Sequence, residues 1–347
     1  MNMDPENIVS SAENLRLYYI LPKNIYVKAV DGVSINIPRG GFLGLVGESG
    51  SGKTTLAEGI LNLVEPPMIK ISGRIYYYMR TIDKSTKTPI IKKLDLEQIP
   101  RRDLERLRGR ELSIIPQYAM DALNPTMKIG SFIRDIAVHH EKEVSEIQSI
   151  ALERFKMLGL PDDILNRYPH ELSGGMRQRT VVGISTLLNP RFLVADEPVS
   201  NLDVVQQHIV IDFLVELVEK RLVETLLMVT HDLPLIIEKA RYLLIMYGGH
   251  IVETGSKEEI WSEPLHPYTK MFLESIPPVG VRIEEKRIRG IPGNPPDLRF
   301  PPPGCRFHPR CPFAMDICRR EEPPEIEIKP GRKVKCWLFV ERKELKR

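Results

Sequence analysis

Residues 42–55 read FLGLVGESGSGKTT, and the chain continues as TTLAEGILNLV across 54–64. No other stretch narrows the fold as much. The apolar run entering a glycine loop predicts a buried strand, and the segment after the loop predicts a helix. Gly47, Gly52, Lys53 and Thr54 satisfy G-x-x-x-x-G-K-[ST] between them. Glycines let backbone amides turn inward around an oxyanion without side-chain clash, and the helix start adds the positive end of its dipole. The cradle therefore comprises Gly47, Glu48, Ser49, Gly50, Ser51, Gly52, Lys53, Thr54 and Thr55. Lys53 would reach the β- and γ-phosphates of a nucleotide, and Thr54 would ligate Mg²⁺.

The segments RFLVADEP (191–198), TLLMVT (225–230) and YLLIMYGGHIVETG (242–255) are further apolar runs bounded by polar turns. Strands alternating with helical stretches predict an α/β core with a largely parallel sheet. PRRDLERLRGREL (100–112) is polar and helical in pattern, and 132–160 reads as the helices of an inserted subdomain. Asp196 and Glu197 close one apolar strand, at the edge where open α/β sheets bind ligands. Asp196 suits a Mg²⁺ partner, and Glu197 a base polarising the attacking water. Alone, the pair would better suit a solvated acidic turn; beside the glycine loop it predicts a P-loop nucleoside triphosphatase.

A second glycine-rich helix start, ELSGGMRQR at 171–179, lies far downstream. Ser173, Gly174 and Gly175 there point amides and a hydroxyl toward an anion, although an isolated Ser would read simply as an N-cap. Gln117 follows a strand in LSIIPQ, SNLD (200–203) follows the acidic pair, and His231 lies just beyond another strand in VTHD.

This ordered set resembles the ATP-binding subunits of ABC transporters over roughly residues 14–265. The resemblance implies a RecA-like P-loop core sheet, an inserted helical subdomain near 118–180 and an antiparallel N-terminal sheet, together making an ATPase domain of residues 1–275. It casts Gln117 as the Q-loop glutamine, also at Mg²⁺ with Thr54 and Asp196. Ser173, Gly174, Gly175 and Gln178 become the signature motif, Asp203 the D-loop aspartate, and His231 the switch histidine stabilising the γ-phosphate. In that family two ATPase subunits face head to tail, each signature helix completing the partner's ATP site. An aromatic ahead of the P-loop stacks on adenine; of Tyr18, Tyr19 and Tyr26, approximate spacing favours Tyr19.

LNPTMKIG (123–130), HPYTKMFLESIP (266–277) and GCRFHPRCPFAMDIC resemble the oligopeptide/dipeptide importer branch in particular. That implies a motor working with a second ATPase subunit (a paralogue or a second copy), two permease subunits and an extracytoplasmic binding protein, at the cytoplasmic face of the membrane. Oligosaccharide is the alternative solute. A soluble ABC ATPase acting on ribosomes or DNA would carry two fused cassettes or a long coiled-coil insertion, and neither is present. An exporter motor is disfavoured by the importer-type tail. A net charge of +3 does not by itself imply nucleic-acid binding, and none is expected. The chain shows no 18-residue apolar run and no apolar stretch near its N-terminus, so it is expected in the cytosol, docked onto membrane subunits.

From 276 the composition changes: 13 of the 29 prolines lie between Pro277 and Pro330, predicting a loop-rich module (276–347) without long helices or interior strands. The basic tail ERKELKR reads as a solvated end. All four cysteines, Cys305, Cys311, Cys318 and Cys336, fall in this module. In a reducing compartment such clustering favours ligation over disulfides, and four thiolates can hold a [4Fe–4S] cluster. The branch resemblance implies that cluster at these four positions; zinc, a disulfide or unligated thiols are the alternatives.

Overall fold

The computed structural model describes residues 4–83, 85–200, 202–276 and 290–340. The basic tail, Pro277, Pro278 and Asn201 lie outside them.

In chain order, long strands β1 (Ile8–Leu21) and β2 (Ile25–Pro38) precede β3 (Gly41–Val46) and the phosphate-loop helix α1 (Lys53–Ile60). Strands β4 (Met68–Ile82) and β5 (Pro89–Asp95) follow. Then come α2 (Arg101–Leu107), β6 (Leu112–Ile115), α3 (Ile129–His139), α4 (Val144–Met157) and α5 (Gly174–Ser185). The chain continues through β7 (Phe192–Asp196), α6 (Val204–Glu219), β8 (Thr225–Thr230) and α7 (Leu233–Ile237). The hairpin strands β9 (Tyr242–Tyr247) and β10 (His250–Ser256) lead to α8 (Lys257–Ser262) and α9 (Pro267–Glu274). The cysteine-rich region adds α10 (Asp316–Arg320), β11 (Glu325–Lys329) and β12 (Arg332–Lys335). Among the described residues, no helix is long and apolar enough to cross a membrane.

The chain divides into two compact units: Met1–Arg39, Leu43–Glu97 and Val229–Arg347 form one, Gly40–Phe42 and Gln98–Met228 the other. In the first, β2-β1-β4-β5 make the antiparallel sheet expected at the N-terminus. The helix α1 lies flat on it because Gly59 has no side chain: a Cβ there would stand 2.3 Å from Leu17 Cδ1. Strand β3 pairs in parallel with β9, Leu43 opposite Tyr242 and Val46 opposite Ile245. The apolar run 242–255 is not one strand. Gly248 and Gly249, at φ +55° and +82°, fold it into a hairpin in which Ile251 faces Met246. Left-handed backbone at two successive residues is the turn that suits the twist of an antiparallel pair.

Among its described residues, the proline-rich region has no strand before Glu325, as its composition predicts. The two short strands begin only where proline gives way, and Pro330 sits in the turn between them. There β12 pairs with β10, Glu253 opposite Val334, and carries β11 on its other side, so it is an interior strand after all.

In the second unit β6 and β7 run parallel, Leu112 opposite Phe192 and Ile115 opposite Ala195. All five residues of β7 are buried, which explains its unbroken apolar run. The helices expected across 132–160 are α3 and α4. Ile133, Ala137, Ala151 and Phe155 form buried stripes on them, and α5 approaches Phe155 through Gly183, where a Cβ would stand 2.7 Å from the ring. The polar helix expected across 100–112 ends at Leu107, and Leu112 begins β6.

Candidate nucleotide-binding site

In the first unit the strand β3 delivers the chain into the glycine loop and α1 leads out of it. Gly52 occupies the N-cap of α1 at φ +100° and makes no side-chain cap. Lys53 is buried, and its ammonium donates to the carbonyls of Gly47 and Glu48, each at 2.9 Å. Ser51 Oγ is buried without a hydrogen-bond partner among the described residues. An oxyanion seated in the loop would satisfy that hydroxyl, so the cradle fits phosphate. Its outer wall is fixed: Gly249 N–H donates to Ser51 O at 2.8 Å, and Glu48 N–H donates to Tyr268 Oη at 2.9 Å.

Tyr19 and Thr55 share a hydrogen bond of 3.1 Å, so of the three candidate tyrosines Tyr19 lies against the start of α1. Tyr18 donates instead to Asp31 at 2.6 Å. Burial and that carboxylate push its phenol up to about 12. Tyr26 packs edge-on against Tyr18, with centroids 6.3 Å apart. His231 follows β8 and is exposed; next to it, Asp232 N–H donates to Thr230 Oγ1 at 2.9 Å and shapes the turn.

The second unit gathers the other predicted residues. Asp196 ends β7 and is 1% exposed. Glu197 follows with φ +44°, a left-handed backbone that costs a residue with a Cβ energy and recurs at functional sites. Gln117, just beyond β6, donates its amide to Glu197 Oε2 at 3.3 Å. The parallel pairing of β6 with β7 brings their carboxyl ends, and therefore these side chains, together. Ser173 caps α5 by accepting from Met176 N–H at 3.2 Å. Gln178, one turn on, is buried and donates to Pro198 O at 2.9 Å, tying the signature helix to the residue after Glu197. Asp203 caps α6 by accepting from Gln206 N–H at 2.9 Å and from its side-chain amide at 2.6 Å. Gly175 lies against that same amide: a Cβ would stand 2.3 Å from Gln206 Oε1. The start of α5 and Asp203 are thus adjacent parts of one packed surface.

The cysteines are free thiols, half-buried at Cys305 and Cys311 and buried at Cys318 and Cys336. Cys305 N–H donates to Cys318 O at 2.8 Å. Burial, with the neighbouring Cys318 and Cys311 adding to it, pushes the Cys305 thiol up to about 11. Burial and all three other cysteines push Cys336 up to about 12. Cys311 is pushed up as well, by burial and by Cys318, so Cys305, Cys311 and Cys336 would need a cationic group to be held as thiolates. Among the described residues, no three His, Cys, Asp or Glu side chains are gathered closely enough to hold a metal ion.

Sequence reasoning missed a group of residues around Glu48. Arg310 donates to both of its carboxylate oxygens, at 2.7 and 2.9 Å, and Arg306 likewise reaches Asp31. The only signal was two arginines spaced between Cys305 and Cys311 in a segment otherwise read for its thiols.

A strand, a glycine loop with its lysine, and carboxylates at a strand's carboxyl end define the P-loop nucleoside triphosphatases. Comparison with known proteins refines the class. The ABC transporter family model matches residues 30–200, and the oligopeptide/dipeptide transporter C-terminal region matches residues 252–318. The chain is 38% identical over 343 residues to the dipeptide transport ATP-binding protein DppD of Caldanaerobacter subterraneus, covering 98% of this chain and 100% of that one. It is 38% identical to the oligopeptide transport ATP-binding protein AppD of Bacillus subtilis, over 94% of this chain and 96% of the relative. Against DppD of Escherichia coli the identity is 36%, over 89% and 90% of the two chains. The fold matches the dimeric ATP-binding cassette MJ0796 bound to ADP and Pi, with TM-score 0.58 and 23% identity over 72% of this chain and 98% of that one. The chain belongs to the ATP-binding proteins of the ABC transporters, in the oligopeptide/dipeptide branch. Binding and hydrolysing ATP is the activity of this cassette.

Proposed function

We propose that this chain is the motor subunit of an importer that takes up oligopeptides or dipeptides through separate permease subunits, fed by an extracytoplasmic binding protein. The observation that carries this reading is the extent of the match, which runs through the C-terminal module and not the ATPase core alone. In this reading residues 1–275 are the ATPase domain and 276–347 an extension of it. The chain sits peripherally on the cytoplasmic face, bound to two permeases and to a second ATPase subunit.

The residue roles follow from their chemistry. Lys53 and the loop of residues 47–55 hold the β- and γ-phosphates. Thr54, Asp196 and Gln117 serve Mg²⁺, whose charge offsets that of the phosphates. Glu197 takes a proton from the attacking water, its carboxylate oriented by the Gln117 amide. His231 stabilises charge developing on the γ-phosphate, and Tyr19 supports adenine. Ser173, Gly174, Gly175, Gln178 and Asp203 serve the ATP of the partner subunit. Cys305, Cys311, Cys318 and Cys336 take a [4Fe–4S] cluster. When bound, it would supply cationic iron to hold the four thiolates and staple a module too proline-rich to build a large core.

The test is reconstitution of the assembled transporter in vesicles with ATP inside. Uptake of labelled peptide is expected, and Glu197→Gln should retain ATP binding while stopping both turnover and uptake. Uptake of oligosaccharide alone would replace the solute. Association with ribosomes or DNA rather than permease would overturn the motor reading, and undiminished turnover in Glu197→Gln would remove the base.

A further inference from the structure

Each polar group of Glu48, the second residue of the phosphate loop, holds a different part of the first unit. Its N–H donates to Tyr268 Oη at 2.9 Å, its carbonyl accepts from Lys53 Nζ at 2.9 Å, and its carboxylate accepts both arms of Arg310. Arg310 is itself rigidly placed. Its side chain is 5% exposed. It donates to the carbonyls of Pro292 at 2.8 Å and Ile291 at 3.3 Å, and to Tyr247 Oη at 3.3 Å. The residue three before it, Phe307, is buried edge-on against Tyr247, with centroids 5.1 Å apart, and against Tyr268 at 5.5 Å. The segment between the first two cysteines therefore seats itself against the phosphate loop through an aromatic wedge and a guanidinium.

A carboxylate in this loop is an electrostatic liability, because the loop's other groups are arranged to attract phosphate. A planar guanidinium bound to both oxygens neutralises the charge and fixes its direction, which a single ammonium contact would not. We propose that Arg310 is a positioning residue for ATP binding: it neutralises and anchors Glu48, so the seating of the cysteine-rich module sets the affinity of the phosphate loop. Arg310 acts through Glu48. Without it, a half-buried carboxylate is left unpaired beside the incoming triphosphate, and the loop loses its outer strut.

The proposal rests on the nucleotide site described above, so Lys53→Ala, which tests that site alone, accompanies the experiment. In the full chain, binding of a fluorescent ATP analogue is measured for Arg310→Ala, Glu48→Gln and the double variant. Arg310→Ala should raise Kd about tenfold or more, the equivalent of about 1.4 kcal/mol. In the assembled transporter the loss should appear in KM for ATP, with kcat within about twofold. The double variant should return to within about twofold of Glu48→Gln, because neutralising the carboxylate removes the need for Arg310. Arg310→Lys should recover only part of the affinity. Should Arg310→Ala fail to fold, Arg310→Lys with and without Glu48→Gln carries the same comparison. Wild-type affinity in Arg310→Ala, or a double variant as weak as Arg310→Ala alone, would overturn the proposal. Unchanged binding in Lys53→Ala would instead sink the nucleotide site.

Discussion

Two glycines of the phosphate loop make a matched test of how it is built. Gly50 and Gly52 both adopt left-handed backbone, at φ +74° and +100°. A Cβ on Gly50 would meet no atom within 4 Å. A Cβ on Gly52 would stand 2.0 Å from the carbonyl oxygen of Ala29, 3.0 Å from its carbon and 2.8 Å from Met246 Cε. The methionine can swing aside, but Ala29 cannot, because it lies within β2, where Val27 pairs with Tyr19 and Val30 with Leu17. Gly50→Ala therefore carries the backbone penalty alone, about 1–2 kcal/mol. Gly52→Ala adds overpacking against fixed backbone, about 1–3 kcal/mol more. In thermal unfolding without nucleotide, Gly52→Ala should melt below Gly50→Ala by a few degrees, at roughly 2–4 °C per kcal/mol. The displaced loop should also forfeit the stabilisation that saturating ATP confers on the wild type. Equal melting of the two variants, or a Gly52→Ala protein that ATP stabilises normally, would refute the packing argument.

Two further outcomes are expected. His266 is 1% exposed and its Nδ1 accepts from Tyr268 N–H at 3.0 Å, while burial brings its pKa from 6.5 down to about 3. Below pH 6.5 the unfolded chain takes up a proton that the folded chain refuses, so this stability is complete above about 6.5 and is lost progressively down to about 3, by at most about 1.4 kcal/mol per pH unit. His266→Asn keeps a capping acceptor without the titration; in urea unfolding at pH 7.5 and 5.5, its stability relative to wild type should improve by about 1.4 kcal/mol at the lower pH, and no relative change would exclude His266 as the source. Anaerobically purified protein should be brown, with a broad absorbance near about 400 nm that Cys336→Ser diminishes, whereas a colourless preparation with one bound zinc would remove the cluster.

The parts legible from sequence are those whose residues are neighbours along the chain. The strand and loop at 42–55 could be read because an apolar run, a glycine spacing and a helix start are local signals. The same is true of β7, whose burial on both faces leaves an unbroken apolar run ending in Asp196 and Glu197. The hairpin at Gly248 and Gly249 was available too, as two glycines inside an apolar run, but continuous hydrophobicity masked the reversal. What no local pattern reveals is pairing across the chain. Glu48 and Arg310 are 262 residues apart, and Asp31 and Arg306 are 275 apart. An arginine beside a proline carries no mark of its carboxylate partner. Nor does composition disclose that Glu197 takes a left-handed backbone, since glutamate has no preference for that region.

The two glycine-rich helix starts, alike in sequence, solve their local problem differently, and the difference matches the roles proposed for them. At α1 the cap is Gly52, which has no side chain with which to cap its own helix. At α5 the cap is Ser173, whose oxygen already accepts from Met176 N–H. A hydroxyl that accepts still has its own proton to donate, and the cap constrains where that proton can point. Ser173 is thus stabilised as part of its own helix while retaining one directed donor for an anion brought from outside. Behind it, Gly175 is pressed against Gln206, which in turn holds Asp203. A shift of the signature turn on meeting a partner's phosphate would therefore reach the D-loop aspartate through one side-chain amide, and through Gln178 would reach Pro198 beside the base.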